Sequence, residues 1–556
     1  MMDSTLNSSA TMNSTWDYTP RVSVISVPWA EVGPKQIDIN AATALLLFLA
    51  SLVVFIPSSR FLLQQRQHQK HQVSAQPPVW YNHADPLLGL DVLWKCGWAV
   101  AHGKLLDTTR SIIAPFGRTV SYLVLGKQAV LTIDPVNLKA MLSKNFWDYG
   151  LGSTRKKSLN SLFGSGIFNS DGDVWKAHRS ILRPFLSRVR SAELGIFEEH
   201  VQHLLRCIPR DGHTIDLQPL FSSFTLDITT NVFLGRSTSL LEAEAVGESG
   251  STEGQQFSRA FEYAQQSLIG INDYSLWRMF RKLVFGDKKL EQSLQCLGKF
   301  VDRVLDRSMQ ANSNSGTTVV TEDAGEGTSP SSTDRHFLGA MVGRGRSRTD
   351  LKLDILNVIL AGKDTTASFL GSIWYVLSQR PDIFEKLRDE IGVLNGCPPT
   401  KEDLHRFPYL QKVLQETLRL FPPIAVSQRT AEVDTVLPHG GGPDGQSPMH
   451  VPRGASVGYS IYAMHRIPEF FGPDVDTFRP ERWAEIRPQW AFMPFHGGPR
   501  ICLGQQLAMA LAKYSTIRLL QHFARLEDRN EVPWEEKIGV SCSSKHGVKV
   551  GLIARQ

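Results

Sequence analysis

Cysteine is scarce in this chain of 556 residues, and its six cysteines are widely scattered with no Cys-x-x-Cys pair. A disulfide framework needs many cysteines at short spacing and a structural zinc site needs paired ones, so both are poorly supported. We expect most of the six to be buried thiols in a reducing compartment. They are Cys96, Cys207, Cys296, Cys397, Cys502 and Cys542.

A strong excess of one charge is lacking as well. Sixty Lys and Arg residues against 54 Asp and Glu residues give a net charge of +6, spread thinly over the chain. Nucleic-acid-binding surfaces carry a denser positive charge, so we expect no nucleic-acid partner. With 42% hydrophobic and 21% charged residues, the composition is that of a globular protein with a large core.

Long apolar runs are rare, but residues 41–56 contain no charged side chain. As a helix this run is about 24 Å long, close to the roughly 27 Å of hydrocarbon in the endoplasmic reticulum membrane. We interpret 41–57 as a single transmembrane anchor. A buried core helix is the alternative. A cleavable signal peptide fits less well, because residues 1–40 precede the run without a basic start.

The charges beside this run predict its orientation. Basic side chains are more numerous after the run than before it, and basic flanks favour the cytoplasmic side: Arg60, Arg66 and Lys70 follow it. We therefore expect residues 1–40 to be a lumenal tail, 58–78 a basic linker with prolines, and 79–556 a cytoplasmic catalytic domain. The sequons at Asn7 and Asn13 are then candidates for glycosylation.

Helical periodicity dominates the remaining sequence. Leu410, Val413, Leu414 and Thr417 form an i, i+3, i+4, i+7 stripe that ends at Pro422. Strand patterns are fewer and include 120–125, 129–133 and 457–462. We therefore predict a mainly α fold with a small β portion. The Ser-, Thr- and Gly-rich stretch at about 308–334 predicts a disordered insertion.

The segment 495–504 reads FHGGPRICLG and precedes residues 505–523, which have helical composition. Gly498 and Gly504 allow a tight turn and the close approach of a flat ligand. Cys502 lies just before a helix N-terminus, whose dipole and free N–H groups stabilise a thiolate. Arg500 can reach an anionic group on the same ligand. Taken alone, a single cysteine is more often an inert buried thiol.

Five positions in this segment resemble the F-x-x-G-x-R-x-C-x-G signature of the cytochrome P-450 family, with Phe495 first and Gly504 last. The resemblance implies the cytochrome P-450 fold and haem b whose iron is bound by Cys502. It covers about residues 77–556. Glu416, Arg419 and Arg482 are similar to the family's Glu-Arg-Arg network behind the haem, which implies a structural role.

Three further residues resemble haem-contacting positions of the family. Trp175 and Arg179 match its W-x-x-x-R motif, and Arg429 lies ten residues after Arg419. The resemblance implies that Arg179, Arg429 and Arg500 bind haem propionates beside Trp175. A surface arginine is the ordinary alternative for each.

The stretch 361–366, AGKDTT, lies in a long predicted helix. Ala361 and Gly362 leave space for dioxygen, and Thr365 is four residues after Ala361 on nearly the same face. Splitting dioxygen needs two protons, which Asp364 and Thr365 can relay from solvent. Alternatively, Asp364 and Thr365 only satisfy a break in the helix.

Several stretches resemble the fungal class that hydroxylates n-alkanes and fatty acids, among them 149–152 and 490–495. Departures from that class are Lys363 for arginine, His496 for asparagine, and Ser427-Gln428 for an Asn-containing pair. The substrate is therefore expected to be lipophilic: a fatty acid, an alkane, or a polyketide or terpenoid of fungal secondary metabolism.

The resemblance implies a membrane-anchored monooxygenase that uses O2 and places one oxygen atom into a C–H bond. We find no Rossmann or fused flavin region, so NADPH electrons must come from a separate NADPH-cytochrome P-450 reductase, with cytochrome b5 as a second candidate donor. Lys176 and Arg183 are candidate docking charges. The alternatives are a haem-thiolate isomerase or dehydratase that works without reductase, and a non-catalytic haem sensor.

Overall fold

We describe the protein from a computed structural model, which places residues 75–187, 189–247, 252–269, 286–314, 337–343 and 346–555. The predicted tail, anchor and most of the linker lie outside these residues, as do both sequons. Among the described residues, no helix is both long enough and apolar enough to cross a bilayer.

Helices make up most of the described chain, as predicted. They are α1 (Leu90–Ala101), α2 (Leu105–Ile113), α3 (Pro135–Lys139), α4 (Ser153–Phe163), α5 (Gly172–Leu186), α6 (Ser191–Cys207), α7 (Leu217–Leu234), α8 (Leu240–Ala245), α9 (Glu253–Ile269), α10 (Lys288–Asn314), α11 (Phe337–Gly343), α12 (Arg348–Gln379), α13 (Pro381–Ile391), α14 (Pro408–Leu420), α15 (Ile461–Met464), α16 (Pro468–Phe471), α17 (Arg482–Glu485) and α18 (Gln505–His522).

The strands form small sheets. They are β1 (Thr119–Val124), β2 (Lys127–Thr132), β3 (Tyr149–Gly150), β4 (Asp211–Asp216), β5 (Val426–Ala431), β6 (Thr435–Gly441), β7 (Ser447–Val451), β8 (Ser456–Ser460), β9 (Phe523–Asp528), β10 (Glu536–Ile538), β11 (Cys542–Ser544) and β12 (Lys549–Ala554). One sheet has the order β1-β2-β8-β5-β3, with β2 and β8 parallel. The others are β4-β12-β9 and the pairs β6-β7 and β10-β11.

The long helix α12 packs along α7, and Gly362 makes their close approach possible. A Cβ at Gly362 would lie about 2.5 Å from the Thr229 hydroxyl of α7. The absence of a Cβ at Gly362 therefore serves the packing of α12 on α7, and its role in leaving space for dioxygen stays a prediction. Each helical residue turns about 100° from the last, so Gly362 faces a neighbouring helix while Ala361 faces away from it.

Three sequence expectations need correction. Residues 308–314 of the predicted disordered insertion are helical, because α10 continues past its packed stripe of Val301 and Leu305 to Asn314. The linker ends earlier than expected, since Gln76 and Val79 donate to the carbonyls of Pro448 and Gly440. The third concerns the cysteines: all six are free, but only Cys542 is buried.

The predicted Glu-Arg-Arg network is present and fully buried. Glu416 Oε1 lies 2.8 Å from Arg419 Nη2 and 2.8 Å from Arg482 Nε. Trp483 Nε1 donates to Glu416 Oε2 at 3.0 Å. A buried carboxylate with two guanidinium partners fixes α14 against α17, since loss of either partner leaves an unpaired charge.

Candidate active site

The Cys502 segment forms a short loop that ends at α18. The backbone N–H of Cys502 donates to the Phe495 carbonyl at 3.0 Å, and Ala508 N–H donates to the Gly504 carbonyl at 2.9 Å. Gly498 has φ +68°, and a Cβ there would overlap the Leu142 carbonyl oxygen. Gly504 has φ −85° and open space where a Cβ would stand. The tight-turn requirement therefore applies to Gly498 only.

The Cys502 side chain is solvent-exposed although it lies deep in the fold. The surrounding protein raises the pKa of its thiol, while the Gly504 N–H and the positive charge of Arg179 act to lower it. A thiol that has free access, a helix N-terminus and a nearby cation is suited to bind a metal as the thiolate.

Arginine side chains gather beside this loop. Arg500 Nη2 lies 2.7 Å from Asp171 Oδ1, and its guanidinium lies 4.5 Å from the Trp175 ring centroid. Burial, and after it the charge of Arg429, lower the pKa of Arg500 to about 10. Arg179 donates to the Ile501 carbonyl at 3.0 Å. The structure thus brings together residues from α5, β5 and the cysteine loop.

Arg155 belongs to the same cluster, although its sequence context does not single it out. Its Nη2 donates to the Phe168 carbonyl at 3.3 Å, whereas its Nε is buried without a partner. Burial and the charge of Arg429 lower the pKa of Arg155. In the sequence, Arg155-Lys156-Lys157 looks like an ordinary solvated helix face. Only the folded structure shows that Arg155, unlike an ordinary surface residue, faces the arginine cluster.

His496 also faces these arginines. Its Nε2 lies 2.7 Å from the hydroxyl of Tyr459, while Nδ1 is buried without a partner. Burial, and after it the charges of Arg429 and Arg155, lower the pKa of His496 to about 3. The ring is therefore neutral at physiological pH.

The cluster contains more positive charge than its protein partners neutralise. Within the described part of the chain, Asp171 pairs with Arg500, but Arg155, Arg179 and Arg429 have no carboxylate at salt-bridge distance. Buried guanidinium groups and orphaned donors need acceptors. The residues present therefore fit a ligand that places carboxylate groups beside Cys502. The two propionates of haem are such groups.

Helix α12 presents the predicted oxygen-side residues. Ala361 is exposed in a stretch of the helix that is otherwise mostly buried, and the Thr365 hydroxyl donates to its carbonyl at 2.6 Å. Asp364 has different partners: Lys363 Nζ at 2.7 Å and Gln265 Nε2 of α9 at 2.7 Å. The two predicted relay groups are therefore not hydrogen-bonded to each other.

The candidate docking charges differ in their environment. Both side chains are exposed, but Lys176 lies 3.0 Å from Asp173 and 4.4 Å from the Trp147 ring centroid, whereas Arg183 forms no ion pair with another described residue. The Arg183 side chain is thus the more available of the two for an ion pair with a redox partner.

Comparison with known proteins agrees with this arrangement. The model of the cytochrome P450 family matches residues 86–548. Cytochrome P450 monooxygenase himC of Aspergillus japonicus is 36% identical over 527 residues, which cover 94% of this chain and 92% of that protein. Cytochrome P450 monooxygenase fsdH of Fusarium heterosporum is 37% identical over 480 residues, covering 85% and 82%. Cytochrome P450 52A13 of Debaryomyces hansenii is 36% identical over 484 residues, covering 83% and 89%.

The fold is matched by the solved structure of the cytochrome P450DA heme domain, with a TM-score of 0.70, 19% identity, and coverage of 87% of this chain and 99% of that one. The predicted fold and the monooxygenase function are therefore confirmed. Membership implies haem, O2, electrons from a redox partner and a lipophilic substrate. With this match over most of its length, the chain belongs to the cytochrome P450 family.

Proposed function

We propose that this chain is an endoplasmic-reticulum-anchored monooxygenase with haem b at Cys502 and electrons from NADPH-cytochrome P-450 reductase. The substrate C–H group, O2, two electrons and two protons give C–OH and water. The single observation that best supports the haem site is the under-neutralised arginine cluster beside an exposed cysteine at a helix N-terminus. The similarity to fungal cytochrome P450 monooxygenases supports the reaction type.

In this proposal the arginines and Cys502 share the binding of the cofactor. Cys502 ligates the iron as a thiolate, and Arg155, Arg179, Arg429 and Arg500 hold the propionates. When bound, haem supplies an iron that reduces and splits O2, with electron donation from the thiolate. Trp175, which is buried, holds Arg500 in place through the contact with its ring.

The proton path uses α12. Asp364 accepts protons at the carboxylate that lies against Lys363 and passes them through water to the Thr365 hydroxyl. This hydroxyl lies beside exposed Ala361. Small Ala361 leaves the room for dioxygen on this face. The separate hydrogen bonds of Asp364 and Thr365 support a water-linked path rather than a direct one.

The substrate proposed is a lipophilic molecule: a fatty acid, an alkane, or a polyketide or terpenoid of fungal secondary metabolism. Support comes from the resemblance of several sequence stretches to the alkane- and fatty-acid-hydroxylating class and from the fungal relatives. A single-pass anchor at 41–57 would keep the catalytic domain beside a bilayer that stores such molecules.

A spin-state titration tests the proposal. Full-length, haem-loaded protein is mixed with fatty acids, alkanes, terpenoids and polyketides while the Soret band is followed. Each ligand that gives a saturable high-spin shift is then supplied with reductase and NADPH. Consumption of NADPH with formation of a hydroxylated product is the expected result. Turnover without NADPH, or stable oxygen binding without NADPH consumption, would contradict the proposal.

A further inference from the structure

His496 stands at the start of the cysteine loop in a backbone conformation that few side chains adopt. Its φ is +68°, and its N–H donates to the Met493 carbonyl at 3.1 Å. Such an angle crowds a Cβ against the backbone, so glycine is less strained there than any other residue. The preceding residue, Phe495, accepts the Cys502 N–H at 3.0 Å. The chain thus holds an imidazole, at the expense of strain, directly beside the thiol loop.

The neutral ring of His496 has one N–H donor and one acceptor nitrogen, and its surroundings decide which is which. The hydroxyl of buried Tyr459 lies 2.7 Å from Nε2, and it has no other hydrogen-bond partner among the described residues. A hydroxyl that donates to Nε2 leaves the ring proton on Nδ1. The opposite tautomer would deprive both the phenol proton and Nδ1 of a partner. The hydrogen-bond network therefore assigns the proton to Nδ1.

This Nδ1–H is buried, and it has no acceptor within the part of the chain that the structure describes. The charges that reach the ring are the guanidinium groups of Arg429, Arg155 and Arg500. Guanidinium groups only donate hydrogen bonds, so none of them accepts this proton. The Asp171 carboxylate already binds Arg500 at 2.7 Å. A buried donor among three cations is best satisfied by an anionic acceptor on a bound ligand.

We propose that the Nδ1–H of His496 donates a hydrogen bond to a propionate of the haem, and that Tyr459 positions the ring by donating to Nε2. This inference rests on the haem site given under the proposed function. It adds a neutral donor to a cluster of positive charges. Because the ring is held both by the loop backbone and at Nε2, it favours one orientation of the propionate.

Two replacements of His496 separate the hydrogen bond from the backbone strain. His496→Gly removes the donor and relieves the φ of +68°, so a purely structural role predicts a haem protein at least as stable as the wild type. His496→Asn is the matched control, because its amide nitrogen takes the place of Nδ1 and asparagine tolerates this backbone region. Tyr459→Phe keeps the histidine but removes the hydroxyl that places the proton on Nδ1.

The measurements use full-length, haem-loaded protein. They are the resonance Raman frequencies of the propionate bending modes and the rate of haem transfer to apomyoglobin. We expect His496→Gly to shift a propionate mode and to speed haem transfer about tenfold, the effect of losing a hydrogen bond to a charged group. His496→Asn should keep both close to the wild-type values. Tyr459→Phe should shift the same mode by less than His496→Gly does.

Wild-type propionate modes and transfer rates in His496→Gly would overturn the inference and assign Nδ1 to a water molecule. Equal changes in the glycine and asparagine variants would overturn it too. Both results leave the haem site standing when the ferrous–CO spectrum of the wild type shows thiolate ligation. Wild-type protein without that spectrum overturns the haem site and this inference together. If His496→Gly holds no haem, Tyr459→Phe decides, since an unshifted mode there contradicts the proposal.

Discussion

The Tyr459 hydroxyl lies 2.7 Å from Nε2 of His496, so a residue of β8 holds the histidine that faces the arginine cluster. Since β8 pairs with β5, the same strand pair positions Arg429, opposite Val457. The other ring nitrogen, Nδ1, is buried without a partner. One ring nitrogen of His496 is thus held by Tyr459, while the other has no partner on a ring that the charges of Arg429 and Arg155 reach.

Arg155 should contribute to haem retention. Its replacement by glutamine (Arg155→Gln) removes a buried cation whose Nε has no protein partner. We expect haem transfer to apomyoglobin to become about tenfold faster, equivalent to about 1.4 kcal/mol. Lys157→Gln is the matched control, because Lys157 lies on the same helix but is exposed. Equal transfer rates for the two variants would exclude Arg155 from the haem site.

Gln265 should position Asp364 for proton delivery. Gln265→Leu removes the 2.7 Å hydrogen bond from α9 and leaves Lys363 as the remaining partner that the structure shows for this carboxylate. We expect the yield of product per NADPH to fall several-fold and the solvent isotope effect to rise, with the substrate-induced spin shift unchanged. Gln266→Leu, at the exposed neighbouring position, should leave both unchanged. A loss of substrate binding in place of lower coupling would point to a structural role only.

The two loop glycines should respond differently to alanine. Gly498→Ala forces a Cβ against the Leu142 carbonyl at a residue with φ +68°, so we expect loss of folded, haem-containing protein. Gly504→Ala meets no protein atom within 4 Å and has ordinary backbone angles. It should fold normally, as measured by thermal unfolding, and bind less haem if the cofactor approaches this residue. Full haem content in Gly504→Ala would show that the cofactor keeps clear of it.

His465 should make stability depend on pH. The ring is buried, its Nδ1 donates to the Arg419 carbonyl at 3.2 Å, and its Nε2 accepts from the Met493 N–H at 3.0 Å. Burial lowers its pKa from 6.5 to about 3. Between these values the unfolded chain binds the additional proton, so this contribution to stability is complete above pH 6.5 and is lost as the pH falls.

The measurement is denaturant unfolding of the haem-loaded protein at pH 6.5 and pH 5. For one histidine the free energy of unfolding falls by about 2 kcal/mol over this interval. His465→Gln should lose that part of the slope, whatever its effect on absolute stability. A variant with the wild-type slope would assign the pH dependence to other groups.

The Cys502 loop could be singled out as a candidate haem-binding segment from the sequence alone, because the thiol, the glycine turn, Arg500 and the following helix are local features. It also determined the mainly helical class, since periodic apolar stripes such as that of α14 are local as well. It misjudged residues 308–314, where the continuation of α10 outweighed a loop-like composition.

Which polar groups meet depends on how the helices and strands pack together. The arginine cluster brings Arg155 close to Arg429 and His496, which lie in distant parts of the chain. Gln265 of α9 likewise donates a hydrogen bond to Asp364 of α12. Gly362 became a helix contact because its direction depends on where α7 packs. These relationships depend on the packing of distant segments, which local periodicity and spacing do not encode.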